Sequence, residues 1–476
     1  MDAPARRVIW AYDREHTLHP FIVLGLKTLA EAGWSVTVVS ADKAAEGAPY
    51  RAFDDFSFKR RLERYMHAAF EVRGKLEKDA IQVKRAREKL ERRLAETEPH
   101  RVLRGFKRLR FQAKARALYL GHESIQGWRA VIKWAANVRR LTIDTWDCYL
   151  RGFWRLLNLR GEVMIASRPE AAVWACIAAK LRGMRFVYFT FELYGEQITR
   201  PNPLVAWLER MMLRHCVDAV LTQNDCRAEV LVKERGSRVT PAIVHNYKPI
   251  HPETRQRGRL RAKHAIPARR RIVLYEGVIV DGRWLEYVAQ SVLCLPENVV
   301  LVMMGQEKLK WRQVHADDIK EALATGRLIL APPVPHDELL DYVADADVGV
   351  IIYDDSVRNN VFCEPGKLSD YISVGVPVVA PNFPTIGPVV QDRGLGLCFD
   401  GHSPEAIAAT IKAVLDKPKS RWAAALRRAC SELTWETQAP NLLAAVDGGR
   451  LSRSPVADGV IADLGVPAAN PKMMNS

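Results

Sequence analysis

An alternation constrains this chain most. Short apolar runs that read as strands take turns with amphipathic stretches that read as helices. "RRVIWAYD" (Arg6–Asp13) is an apolar strand ending in polar residues. "PFIVLGLKTLAEAGW" follows, with Ile22, Leu26, Leu29 and Ala30 at helical spacing and Gly33 as a stop, and then the strand "SVTVVSA". This β-α-β unit predicts a parallel sheet. The alternation returns at "EVMIASRP" and continues through "RFVYFTFE", "DAVLTQN" and "PAIVHNY". Residues 246–270 are polar, basic and without period, and read as a linker. A second set begins at "RIVLYEG" and runs through "ENVVLVMMG", "RLILAPPV", "DADVGVIIYD", "VPVVAPN" and "GLCFD". The expected plan is an α/β domain over 1–245, the linker, a second α/β domain over 271–434, a helix over 435–448, and a mobile tail over 449–476. The 476 residues suit two cores better than one.

Between the second and third strands the alternation halts for about a hundred residues. Helical stretches there carry a narrow apolar stripe (Leu62, Met66, Ala69, Leu76), and the block, about 56–158, reads as a helical insertion in the first domain. The net charge of +16 is concentrated in it: Lys59–Arg116 holds twenty Lys and Arg against eight Asp and Glu. A solvated helical hairpin explains this. Nucleic-acid binding does so less well, because no aromatic platform or base-reading motif accompanies the charge. An anionic membrane surface explains it best, with Trp128, Trp134, Trp146, Phe153 and Trp154 at the interface and Lys and Arg near head groups. The eight cysteines are scattered without a C-x-x-C pair, as in a reduced, cytoplasmic protein. The apolar run before Asp13 is too short for a signal peptide, and no run of about eighteen apolar residues suggests a span. The expected location is cytoplasmic, peripheral on the inner face of the membrane.

The stretch "CEPGKLSDYISVGVPVVAPNFP" crowds Glu364, Lys367 and Asp370 against the buried strand Val376–Val379, with Gly375 between. Either a solvated helix with an i,i+3 ion pair leads into a core strand, or a rim of charges faces a ligand. In parallel sheets ligands bind beyond the carboxyl ends of the strands. Two such ends facing across a linker make a cleft for a two-part substrate, and hinge closure excludes water from it.

The run "NNVFCEPGKLSDYISVGVPVVAPN" resembles the nucleotide-sugar segment of retaining GT-B glycosyltransferases, family 4 especially. Lys367, Leu368, Asp370, Tyr371, Gly375, Pro377, Val378 and Val379 fill that family's pattern. The likeness extends to "LYEGVIVDGRWLEYV", "VVLVMMGQE", "VPHDELLDYVADADVGVIIY", "GLGLCFDGHSPEAIAATI" and "WETQAPNLLAAV". It implies a GT-B architecture, with two Rossmann-like domains facing a cleft, the long insertion in the first, and the helix over 435–448 packing back on the first domain. Asp370 is then the acid that accepts hydrogen bonds from the donor's ribose hydroxyls. Lys367 and Arg283 face the diphosphate, where cations offset charge on the leaving group, although Val278 stands where a second cation is often found. Gly277 and Gly305 end strands at ligand level, Val334 lies near the base, and Pro365, Gly366 and Leu368 join the donor-binding set. Glu364 reaches the transferred sugar.

The first domain departs more from the family. "YDREHTLHP" replaces the usual Gly-Gly loop and offers Arg14, His16 and His19 on the acceptor side. Phe191 takes the place of a common histidine, with Glu192 beside it as a further acceptor-side candidate. The resemblance implies front-face departure of a nucleoside diphosphate without metal or bound cofactor. The donor would be a UDP- or GDP-sugar, and the acceptor an envelope glycan or lipid-linked acceptor. "DAD" at 345–347 reads as capping and entering a strand rather than as a diphosphate metal motif. Two alternatives remain: a nucleotide-sugar epimerase, and a non-catalytic scaffold that recruits a partner enzyme.

Overall fold

A computed structural model describes residues 6–11, 20–40, 51–54, 150, 152–194, 203–249 and 256–449. The Lys59–Arg116 segment, the candidates Arg14, His16 and His19, and the tail beyond 449 lie outside the described residues.

The first half builds a seven-stranded sheet from β1 (Arg7–Ala11), β2 (Ser35–Ser40), β3 (Arg51–Asp54), β4 (Val163–Ala166), β5 (Arg185–Phe189), β6 (Ala219–Thr222) and β7 (Ala242–Ile243). The order is β3-β2-β1-β4-β5-β6-β7 and every pairing is parallel. Six of these strands are the apolar runs read from the sequence. β3 was not among them. "RAFD" is short and half polar, and as an edge strand it carries too little pattern to stand out. β1, β4 and β5 are buried over nearly their whole length, as strands with helices on both faces must be. Helix Pro20–Glu31 covers one face through Phe21, Ile22, Leu26 and Leu29. Helices Pro169–Leu181 and Pro203–His215 cover the other.

The second half forms a six-stranded parallel sheet from β8 (Arg271–Glu276), β9 (Val299–Met304), β10 (Leu328–Ala331), β11 (Val348–Val350), β12 (Val378–Pro381) and β13 (Gly396–Phe399), in the order β10-β9-β8-β11-β12-β13. In each sheet the winding reverses beside the first strand, between β1 and β4 and between β8 and β11. The crevice at such a reversal is where parallel sheets hold ligands.

Part of the expected linker is ordered. Asp345 accepts the backbone N–H groups of Gly258, Leu260 and Arg261 and so caps a helix at Arg259–Lys263, whose Leu260 is buried in the second core. Asp347 accepts the Ile272 N–H at 2.8 Å and pairs with Arg271 and Lys419. Of the two "DAD" carboxylates, expected to cap and enter a strand, Asp347 leads into β11 while Asp345 caps a helix instead. The last described helix, Trp435–Asp447, returns to the first domain. Trp435 donates to Thr28 at 2.8 Å and meets Phe21 edge-on at 5.1 Å, while Leu442, Ala445 and Val446 join the first core.

Candidate functional site

Loops that leave the carboxyl ends of both sheets meet. Arg227, only 2% exposed, donates to the Phe191 carbonyl, to Gln223 at 2.6 Å, and to the carbonyl and side-chain oxygen of Asn359 at 3.3 Å. Asn359 Oδ1 also accepts the Leu193 N–H at 2.8 Å. Asn224 donates to the Phe362 carbonyl at 3.0 Å, and Arg358 forms a bidentate pair with Glu234 at 2.7 Å. Leu193, Cys226, Val230 and Phe362 form a small apolar cluster at this contact. The carboxyl ends of the two sheets thus face one another.

On the second domain's side the site is built where β8 ends. Gly277 follows β8 with φ of 132° and Gly305 follows β9 with φ of 159°, a backbone that suits glycine. A Cβ on Gly305 would stand 1.8 Å from the Gly277 carbonyl oxygen, so the two strand ends approach as only glycine allows. Helix Gly366–Ser373 then brings its first turn against this point. It is seated by Tyr371, whose hydroxyl donates to the Leu274 carbonyl at 2.9 Å and accepts the Glu276 N–H at 3.3 Å.

Lys367 on that helix is 8% exposed and Asp370 4%. They are not the solvated i,i+3 pair that the sequence also allowed. Asp370 is held instead by Lys248, whose Nζ lies 2.6 Å from Oδ1 and bonds Oδ2 as well. The Lys367 ammonium has no hydrogen-bond partner. It rests 4.1 Å above the Tyr275 ring and 5.4 Å from that of Tyr353, beside Gly277. The Arg283 guanidinium stands 5.6 Å from the Tyr353 ring centroid. Glu276 completes the cluster. Burial pushes its carboxyl up to about 8, helped by the neighbouring Asp370 charge and opposed by Lys367 and Lys248. One of its oxygens, Oε1, has no hydrogen-bond partner.

The remaining candidates are spread around this cluster. Glu364 faces the crossing between the domains: its carboxylate lies 2.7 Å from Nδ1 of His245 and accepts the Asn246 N–H at 2.9 Å. Pro365 precedes the helix and Gly366 opens it, while the Leu368 side chain belongs to the core. Val334 lies in the loop after β10, partly buried against the same core. Glu192 follows β5 on the opposite side of the contact, between Phe191 and Leu193. Three residues of the cluster were not singled out from sequence. Glu276 left a signal, a charge ending the apolar strand "RIVLYEG", whereas Lys248 and His245 sit in "HNYKP" with no pattern to mark them.

Comparisons with known proteins agree with this geometry. Residues 256–430 match the family model for glycosyl transferases group 1. A D-inositol 3-phosphate glycosyltransferase of Xylanimonas cellulosilytica is 28% identical over 241 residues, which are 48% of this chain and 56% of that protein, so the chain spans little over half the relative's length. Among solved structures, HepE of Anabaena in complex with UDP has a TM-score of 0.58 at 11% identity, covering 92% of this chain and 99% of that one. Sucrose-phosphate synthase of Thermosynechococcus elongatus has a TM-score of 0.58 at 12% identity, covering 93% and 98%. WaaG, a glycosyltransferase involved in lipopolysaccharide biosynthesis, has a TM-score of 0.54 at 13% identity, covering 93% and 100%.

Proposed function

We propose that this chain is a glycosyltransferase that moves a hexose from a nucleotide-sugar donor to an acceptor hydroxyl with retention and without metal; support comes from the match of residues 256–430 to the family model for glycosyl transferases group 1 and from the GT-B fold of its two facing sheets. One observation carries the reading. Lys367 is a buried ammonium with no hydrogen-bond partner, held at the switch point beside two glycines. A buried ammonium without a hydrogen-bond acceptor is costly, and a diphosphate supplies one. In this reading Lys367 and Arg283 stabilise charge that grows on the leaving diphosphate. Asp370 takes the ribose hydroxyls, the loop after β10 near Val334 borders the base, and Glu364 and Glu192 face the sugar and acceptor. The donor is a UDP- or GDP-sugar; HepE, of the same fold, binds UDP.

The acceptor is an envelope glycan or lipid-linked, reached at a membrane surface. Support comes from the basic segment Lys59–Arg116 and from the outer helices of the first domain. On helix Pro203–His215, Leu204, Trp207 and Met211 are exposed at i, i+3 and i+7, with Arg210 and Arg214 exposed beside them. Among the described residues no helix is long and apolar enough to cross a membrane.

Calorimetry with UDP, GDP and ADP tests the donor reading. One of the three should bind, and Lys367→Ala and Asp370→Asn should each weaken it by about 1.5–3 kcal/mol, the range for hydrogen bonds to charged groups. Anomeric analysis of the product by NMR, with and without chelator, tests retention and metal independence. A folded protein that binds none of the three nucleotides is a scaffold instead.

A further inference from the structure

The chain crosses between its domains at residues 245–248, and this short segment grips both carboxylates that flank the first turn of helix Gly366–Ser373. Glu364 is held by the His245 ring and the Asn246 N–H. Asp370 receives the Lys248 ammonium on both of its oxygens. Lys248 also donates its own N–H to Ser369 Oγ at 3.4 Å and accepts the Trp435 N–H on its carbonyl at 3.0 Å. It therefore stands where the outgoing and returning crossings of the chain meet. A lysine that merely spans two domains gains nothing by withdrawing from water, yet the Lys248 side chain is only 25% exposed.

We infer that Lys248 is a positioning residue for the donor: it fixes the orientation of Asp370 beside Glu276, and so ties the readiness of the donor site to the arrangement of the domains. The inference rests on the nucleotide-sugar reading above. Each carboxylate oxygen offers two lone-pair directions. Lys248 occupies one on each oxygen of Asp370, which leaves one on each for a vicinal diol. Without the ammonium, Asp370 and Glu276 face each other with Lys367 as the cation that remains beside them, while Arg283 lies on Tyr353. Two crowded carboxyl groups share a proton. Lys248 opposes the proton that burial places on this pair, so without it the pair holds its proton to higher pH than in the parent, and donor affinity falls further at neutral pH in the variant than in the parent.

The test is UDP binding by the full chain, measured by calorimetry from pH 6 to 9 on the parent protein, Lys248→Met, Lys248→Gln and Lys248→Arg, with GDP and ADP as alternative probes. Lys248→Met should bind about tenfold or more weakly at pH 7, the loss expected when a charge-assisted contact goes. The deficit should narrow toward pH 9 as the carboxyl ionises, and Lys248→Arg should restore most of the affinity. A lysine that only braces the fold would give a lower melting temperature and a deficit that does not change with pH, and that result overturns the inference. Should Lys248→Met not fold, Lys248→Gln is read in the same way. Parent-like affinity and pH profile in a folded Met or Gln variant also overturn it. Failure of the parent protein to bind any of the three nucleotides removes the donor reading and this inference together, an outcome distinct from an unaltered variant.

Discussion

At the scale of single residues the site sets two carboxyl groups against two ammonium groups in a space largely closed to water. Glu276 shows the strain of that arrangement. Its ordinary value is 4.5 and burial raises it to about 8 in the folded chain. The folded state then binds more protons than the unfolded state between these values. The stability held through Glu276 is fully present below about pH 4.5 and is lost as pH rises through about 8. Glu276→Gln removes this dependence. The variant should match the parent's melting temperature near pH 5 and exceed it increasingly toward pH 8.5, by at most about 1.4 kcal/mol per pH unit. Parallel melting curves across that range would show that Glu276 is ionised in the fold. The contrast with Asp370 shows what sequence discloses. Asp370 was legible because a glycine, a proline and two valines follow it in a fixed register. The burial of Asp370, its ion pair with Lys248 and the proximity of Glu276 were not legible. They join residues 94 to 122 positions apart, and no local pattern encodes such contacts.

At the scale of elements, twelve of the thirteen strands among the described residues were readable, because a strand buried on both faces is an unbroken apolar run. The missed strand β3 and the capped helix Arg259–Lys263 are short, and partners elsewhere in the chain stabilise them. The closing helix Trp435–Asp447 was readable as a helix, and its packing on the first domain was expected from family resemblance. Its anchorage depends on Trp435, which is buried against Phe21 and bonded to Thr28. Trp435→Ala should cost about 3–5 kcal/mol, the range for truncating a large buried aromatic. Nucleotide affinity should change far less, because the cluster around Lys367 is assembled on the second sheet. Denaturant titration with calorimetry on the same variant separates the two effects. A loss of affinity as large as the loss of stability would mean that this helix shapes the donor site directly.

At the scale of the whole molecule, the charge distribution and the fold divide the labour. On the nucleotide-sugar reading proposed above, the donor-facing residues lie on the second sheet, while the net charge of +16 is concentrated in Lys59–Arg116, within the first domain's part of the chain. On the membrane reading, each well-placed Lys or Arg contributes on the order of 1 kcal/mol toward anionic lipid. That attraction decays within a Debye length of about 8 Å at physiological salt. The apolar row on helix Pro203–His215 adds a contribution that salt does not screen, since Trp207 alone is 56% exposed. Two classes of variant should therefore behave differently in vesicle co-sedimentation. Charge reversal at Arg85, Arg87, Arg92, Arg93, Lys107 and Arg108 should abolish binding at low salt and leave UDP affinity intact. Replacing Leu204, Trp207 and Met211 by Ser should leave the low-salt binding in place but remove the fraction that persists at high salt. Turnover on a membrane-embedded acceptor should fall in both classes, while hydrolysis of soluble donor does not. If the parent protein ignores anionic vesicles even at low salt, the basic segment serves solvent or a protein partner, and the acceptor is met away from lipid.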